Sequence, residues 1–213
     1  MTREQELKRI AAEITRCRLC KKGGTGKAVP GEGYPAARVV FIGEAPGREE
    51  AKTGRPFVGR SGKLLRQSIR DTGLVESEVF ITSPVHYLPD RGTPSKEMIR
   101  HGREHLFKQL AVIGPDIIVL LGNSACVAML DGKVEITKKH GTLVKKDGRT
   151  YFITVHPAYA LRFAKGKEML FQDFSKLKRM IRPARQAAAA PRKARGTAER
   201  PRKIRLKFPK DEL

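Results

Sequence analysis

The residues best placed to do chemistry fall in two distant segments. The first is Gly43-Glu44-Ala45-Pro46-Gly47, running on to Gly54-Arg55-Pro56-Phe57-Val58-Gly59; the second is Val155-His156-Pro157. Each follows a short apolar run, Arg38-Val39-Val40-Phe41-Ile42 before the first and Tyr151-Phe152-Ile153-Thr154 before the second. Both runs read as buried strands. In open α/β sheets, ligands bind in the crevice beyond the carboxyl ends of the strands. A flexible glycine loop, an aromatic ring and a histidine are therefore expected to share one pocket. Loop glycines let backbone amides approach a ligand without a Cβ in the way. A third group is the Cys-x-x-Cys pair of Cys17 and Cys20. Cys126, in an apolar helical context, reads as a small buried hydrophobe.

The elements that must position these residues alternate in type. Thr2 and Gln5 have capping-box spacing, and Leu7, Ile10, Ala11 and Ile14 share one helical face. Strands are expected near 37–42, 79–82 and 116–121. Helices are expected near 62–72, 95–113, 124–130 and 168–181. Asp147-Gly148, between the runs 142–144 and 151–154, signals a hairpin. This alternation predicts an α/β fold with a parallel sheet and helices on both faces.

The 213 residues suit one domain plus an appendage, here 1–182 and 183–213. The second segment carries ten Lys or Arg against three Asp or Glu and reads as a disordered basic tail. Across the chain, 44 Lys and Arg against 22 Asp and Glu give a formal charge of +22. So large an excess favours a polyanion, because phosphate neutralisation releases counterions. No apolar run is long enough to span a membrane, and none at the N-terminus resembles an export signal. The terminal Lys210-Asp211-Glu212-Leu213 is read as a chance match to a retention address. The expected location is cytoplasmic and nucleoid-associated, and the expected oligomeric state is monomeric.

The string from Gly43 through Gly62 closely resembles the first motif of family 4 uracil-DNA glycosylases. Val155-His156-Pro157-Ala158-Tyr159 resembles their late His-Pro motif, and Thr82–Pro94 and Pro115–Gly122 resemble intervening segments. The likeness covers about residues 1–180. It implies a three-layer α/β/α sandwich around a four-stranded, mainly parallel sheet. It also implies a monofunctional hydrolase that cleaves the N-glycosidic bond of uracil in DNA and leaves an abasic site for base-excision repair. By the same resemblance His156 stabilises the departing base, and Phe57 stacks on it. Gly43, Glu44, Ala45 and Ser83 line the pocket, while Arg60 and Arg162 contact DNA. Related families place a water-activating aspartate where Ala45 stands. Alanine cannot do that work, which leaves Glu44, Glu49 or backbone groups.

The chain departs from the family pattern twice. Ser83 stands where the family usually has an asparagine that reads the base edge. This keeps open a shift toward another deaminated base, hypoxanthine or xanthine. A non-catalytic protein that binds damaged DNA is the rival from a different class. The second departure concerns the family's [4Fe–4S] cluster, normally held by four cysteines. Cys17 and Cys20 match the first two, Tyr87 takes the third position with His86 beside it, and His101 takes the fourth. Cys17, Cys20, His86 and His101 are thus the candidate metal ligands. An intact cluster, zinc and no metal all remain open.

Overall fold

The computed structural model describes residues 1–188, with side chains to 181. In chain order the elements are α1 (Arg3–Arg16), α2 (Arg18–Lys21), β1 (Gly24–Thr25), β2 (Glu32–Gly33) and β3 (Val39–Ile42). Next come α3 (Arg48–Thr53), α4 (Arg60–Asp71), β4 (Phe80–Thr82), β5 (Leu88–Pro89), α5 (Lys96–Ile113) and β6 (Ile117–Leu121). The remainder are α6 (Asn123–Leu130), α7 (Ile136–Lys139), β7 (Thr142–Lys146), β8 (Arg149–Thr154), α8 (Pro157–Arg162) and α9 (Ala164–Ala188).

The capping box forms as expected: the Gln5 amide donates to Thr2 Oγ1 at 3.2 Å, and the Thr2 amide to Gln5 Oε1 at 2.8 Å. Ser95 caps α5, and Gly114 ends it in the left-handed region. The hairpin between β7 and β8 turns through Asp147 and Gly148, both with positive φ.

The main sheet has six strands rather than four, in the order β2-β4-β3-β6-β8-β7. Its centre, β4-β3-β6-β8, is parallel. Antiparallel β2 and β7 extend the edges. β2 has only two residues, Glu32 and Gly33, and no apolar run betrays it in the sequence. Successive strand residues point to opposite faces. Val40, Ile42, Ile118 and Leu120 therefore pack with α1, α5 and α6, whereas Val39, Phe41, Val119 and Leu121 pack with α4, α8 and α9. This builds the three expected layers. A separate ribbon pairs β1 with β5.

α9 runs unbroken through the expected boundary at 182–183 to Ala188. The rest of the basic tail, 189–213, lies outside the described residues. No helix among the described residues is long and apolar enough to cross a membrane.

Candidate active site

The parallel centre of the sheet delivers its strand ends to one edge. Gly43 follows β3, Ser83 follows β4, Gly122 follows β6, and His156 lies just past β8. Phe57 reaches the same place from the loop between α3 and α4. Its ring lies so close over Gly43 that a Cβ there would sit 2.5 Å from Cζ of Phe57. The Phe57 and His156 ring centroids are 6.0 Å apart. The glycine loop, the aromatic and the histidine thus share one cleft.

Phe57 has φ of +53°, a left-handed conformation costly for a bulky side chain. Its surroundings hold it there. Arg66 donates from Nε to the Phe57 carbonyl at 3.0 Å and from Nη2 to the Pro56 carbonyl at 2.9 Å. Arg66 is itself fixed by ion pairs to Glu32 and Glu76. Gly62 permits the close approach of α4, since a Cβ there would lie 2.1 Å from the Phe57 backbone. Glu50, buried in α3, accepts the amides of Val58 and Gly59 at 2.8 Å each and that of Gly47 at 3.1 Å. Sequence reasoning passed over Glu50 and Arg66, because their work is done on backbone groups distant in sequence.

His156 is the N-cap of α8. Its Nδ1 accepts the Ala158 amide at 3.1 Å. A ring nitrogen that accepts carries no proton, so the neutral ring carries its proton on Nε2. Burial holds the imidazole below its usual pKa, and the nearby Glu44 carboxylate partly offsets this. The group is therefore a neutral donor at pH 7. In a nitrogen-15 NMR titration, His156 is expected to show the Nε2–H tautomer at neutral pH and a midpoint below 6.5. A midpoint above 6.5, or an Nδ1–H tautomer, contradicts this.

Glu44 is partly buried and accepts from Ser124 Oγ at 2.7 Å, so Ser124 on α6 orients it. Ser124 is another residue that sequence reasoning missed. Glu49 points elsewhere: its carboxylate is more than half exposed and pairs with Lys52. Ala45 is partly buried and packs against one of the two cores. Ser83 is buried, and its hydroxyl donates to the Val85 carbonyl at 2.7 Å. Arg60 and Arg162 are both exposed, at the start of α4 and the end of α8.

Residues 30–179 match the model of the uracil DNA glycosylase superfamily. The chain is 36% identical over 187 residues to the type-4 uracil-DNA glycosylase of Thermotoga maritima, covering 85% of this chain and 97% of that one. It is 37% identical over 194 residues to the Sulfurisphaera tokodaii type-4 enzyme, covering 84% of this chain and 87% of that one. For the Saccharolobus solfataricus type-4 enzyme the identity is 36% over 186 residues, covering 81% and 85%. The chain belongs to the uracil-DNA glycosylase superfamily, in its type-4 branch. The expected family fold is thereby established, with the two added edge strands.

Away from the cleft, Cys17, Cys20, His101 and His105 bring their ligand atoms within 4.8 Å of one another, a group that could hold a metal ion. This corrects the expected ligand set: His105 joins the group, and His86 does not. His86 is buried with its Nδ1 3.3 Å from the Val29 carbonyl. Helix periodicity explains the exchange, because His101 and His105 lie four residues apart on one face of α5. The group does not fit a [4Fe–4S] cluster. Irons of such a cube are held by four cysteine thiolates, and only two cysteines are here. Tyr87, at the third cysteine position, is buried and donates its hydroxyl to the Thr15 carbonyl at 3.1 Å.

Proposed function

We propose that this chain excises uracil from DNA by hydrolysing the N-glycosidic bond, leaving an abasic site. The observation that carries the reading is His156, a neutral Nε2–H donor facing Phe57 at the strand ends. The target base must leave the stack and enter the cleft. Stacking on Phe57 returns part of the lost energy, about 1–3 kcal/mol. Cleavage then drives negative charge onto the base, and the preorganised His156 donor meets it at a carbonyl oxygen. Glu44, oriented by Ser124, is the carboxylate placed to hold the attacking water in place of the aspartate that Ala45 lacks. Gly43 lets the backbone approach the base, and Arg60 and Arg162 are free to meet phosphate.

Ser83 supplies base selection by a different route from the family's asparagine. Its proton is committed to the Val85 carbonyl, so toward any other partner the Ser83 oxygen can only accept. An acceptor suits the N3–H of uracil and repels the N3 lone pair of cytosine. Hypoxanthine and xanthine also present a ring N–H, so they are the competitors to include.

The test uses oligonucleotides carrying uracil, hypoxanthine, xanthine or cytosine, with alkali to reveal abasic sites. Excision of uracil is expected. Its absence alongside activity on another base moves the specificity, and inertness throughout leaves a DNA-binding role. Ser83→Ala is expected to slow uracil excision by up to about tenfold, the worth of one hydrogen bond. An unchanged rate would remove Ser83 from base recognition.

Residues 189–213 and the overall charge support a DNA partner through non-specific phosphate contact. A monomer working on the nucleoid in the cytoplasm suits that role.

A further inference from the structure

We propose that Cys17, Cys20, His101 and His105 form a closed, mononuclear tetrahedral metal site that takes zinc in place of the family's iron–sulfur cluster. Three observations carry this. The first is spacing: Cys-x2-Cys followed by His-x3-His is a ligand pattern of structural zinc sites. The second is geometry. Zinc bonds of about 2.3 Å to sulfur and about 2.0 Å to nitrogen place tetrahedral ligand atoms about 3.5 Å apart. Here all four atoms lie within 4.8 Å, and Cys17 Sγ is 3.1 Å from His101 Nε2. A Rieske-type [2Fe–2S] centre also uses two cysteines and two histidines, but it sorts them onto separate irons. The short Cys17–His101 contact mixes the two types around one point. The third is an orphan: Nδ1 of His105 is buried without a hydrogen-bond partner, and Glu13 Oε2 stands 3.9 Å away. A buried polar atom left unpaired is costly, and a metal ion bound there would satisfy it.

Four protein ligands leave no open position, so the ion is structural. It joins the Cys17-capped turn of α2 to α5. Gly102, between the two histidines, packs so tightly that a Cβ would lie 1.7 Å from the Pro84 carbonyl. Fixing α5 therefore also steadies the segment that carries Ser83.

The experiment expresses the full untagged chain in medium containing both iron and zinc, then measures metals, acid-labile sulfide and the visible spectrum. One zinc per chain without sulfide is expected. Apoprotein titrated with cobalt(II) alone is expected to give tetrahedral d–d bands and thiolate charge transfer. His105→Ala is expected to weaken cobalt binding by more than the 10–100-fold typical of outer-shell changes. His105→Cys is expected to keep the site and intensify the charge-transfer band, which guards against a variant that merely misfolds. Iron with sulfide, metal well below one per chain, or a cobalt spectrum unchanged in His105→Ala would overturn the proposal. None of these readouts depends on uracil excision.

Discussion

His156→Ala is expected to lower single-turnover uracil excision by about 100–1,000-fold, the loss seen when one charge-stabilising donor is removed. Affinity for undamaged DNA should stay within about threefold, because phosphate contacts dominate it. Alanine removes two things at once: the Nε2–H donor and the Nδ1 cap on α8. Loss of the cap alone costs roughly 0.5–2 kcal/mol of stability. His156→Asn restores both in part, since asparagine is a good N-cap and keeps an amide donor. It should fold like the parent and retain more activity than alanine. A rate for His156→Ala equal to that of the parent would remove this histidine from the mechanism.

The second large effect is expected at Glu50, which touches no substrate. Its carboxylate gathers three backbone amides, those of Gly47, Val58 and Gly59, and so closes the loop around Phe57. Hydrogen bonds to charged groups contribute about 1.5–3 kcal/mol each. The loop also carries Phe57 in a strained backbone conformation costing roughly 1–3 kcal/mol. Glu50→Ala is therefore expected to release the loop and reduce excision by about 100-fold, with the sheet intact by circular dichroism. Glu50→Gln retains one acceptor oxygen and should recover part of the loss. Amide hydrogen exchange at Val58 and Gly59 should accelerate in the alanine variant. Normal exchange at these amides would show that Glu50 does not hold the loop.

Much of the fold was legible because local rules agree with global ones. The capping box at Thr2, the β6 run Ile117–Leu121 and the Asp147-Gly148 turn each form as their residues dictate. What escaped was short or polar. β2 has two residues, and α8 lasts six residues behind His156. Neither carries enough periodicity to announce itself. The cleft's principal members, Gly43, Phe57 and His156, stood out by their places after strands or between glycines. Glu50, Arg66 and Ser124 did not, since a carboxylate, a guanidinium and a hydroxyl in helices look like ordinary surface groups. They matter only because the fold turns them toward particular backbone amides, carbonyls or Glu44.

The metal group shows the same division. Sequence by itself showed Cys17 and Cys20 as a pair, and the family resemblance put Tyr87 and His101 at the other two cysteine positions. Matching positions along a motif placed His86 in the set, because it is adjacent to Tyr87 in sequence. Only the tertiary structure exchanged it for His105. Adjacency along a loop does not bring a side chain to the site, whereas a helix brings residues four apart onto one face. Likewise the sequence determined that a histidine follows β8, and packing decided its chemistry. The Ala158 amide claims Nδ1, which leaves the proton on Nε2, and burial keeps the ring neutral.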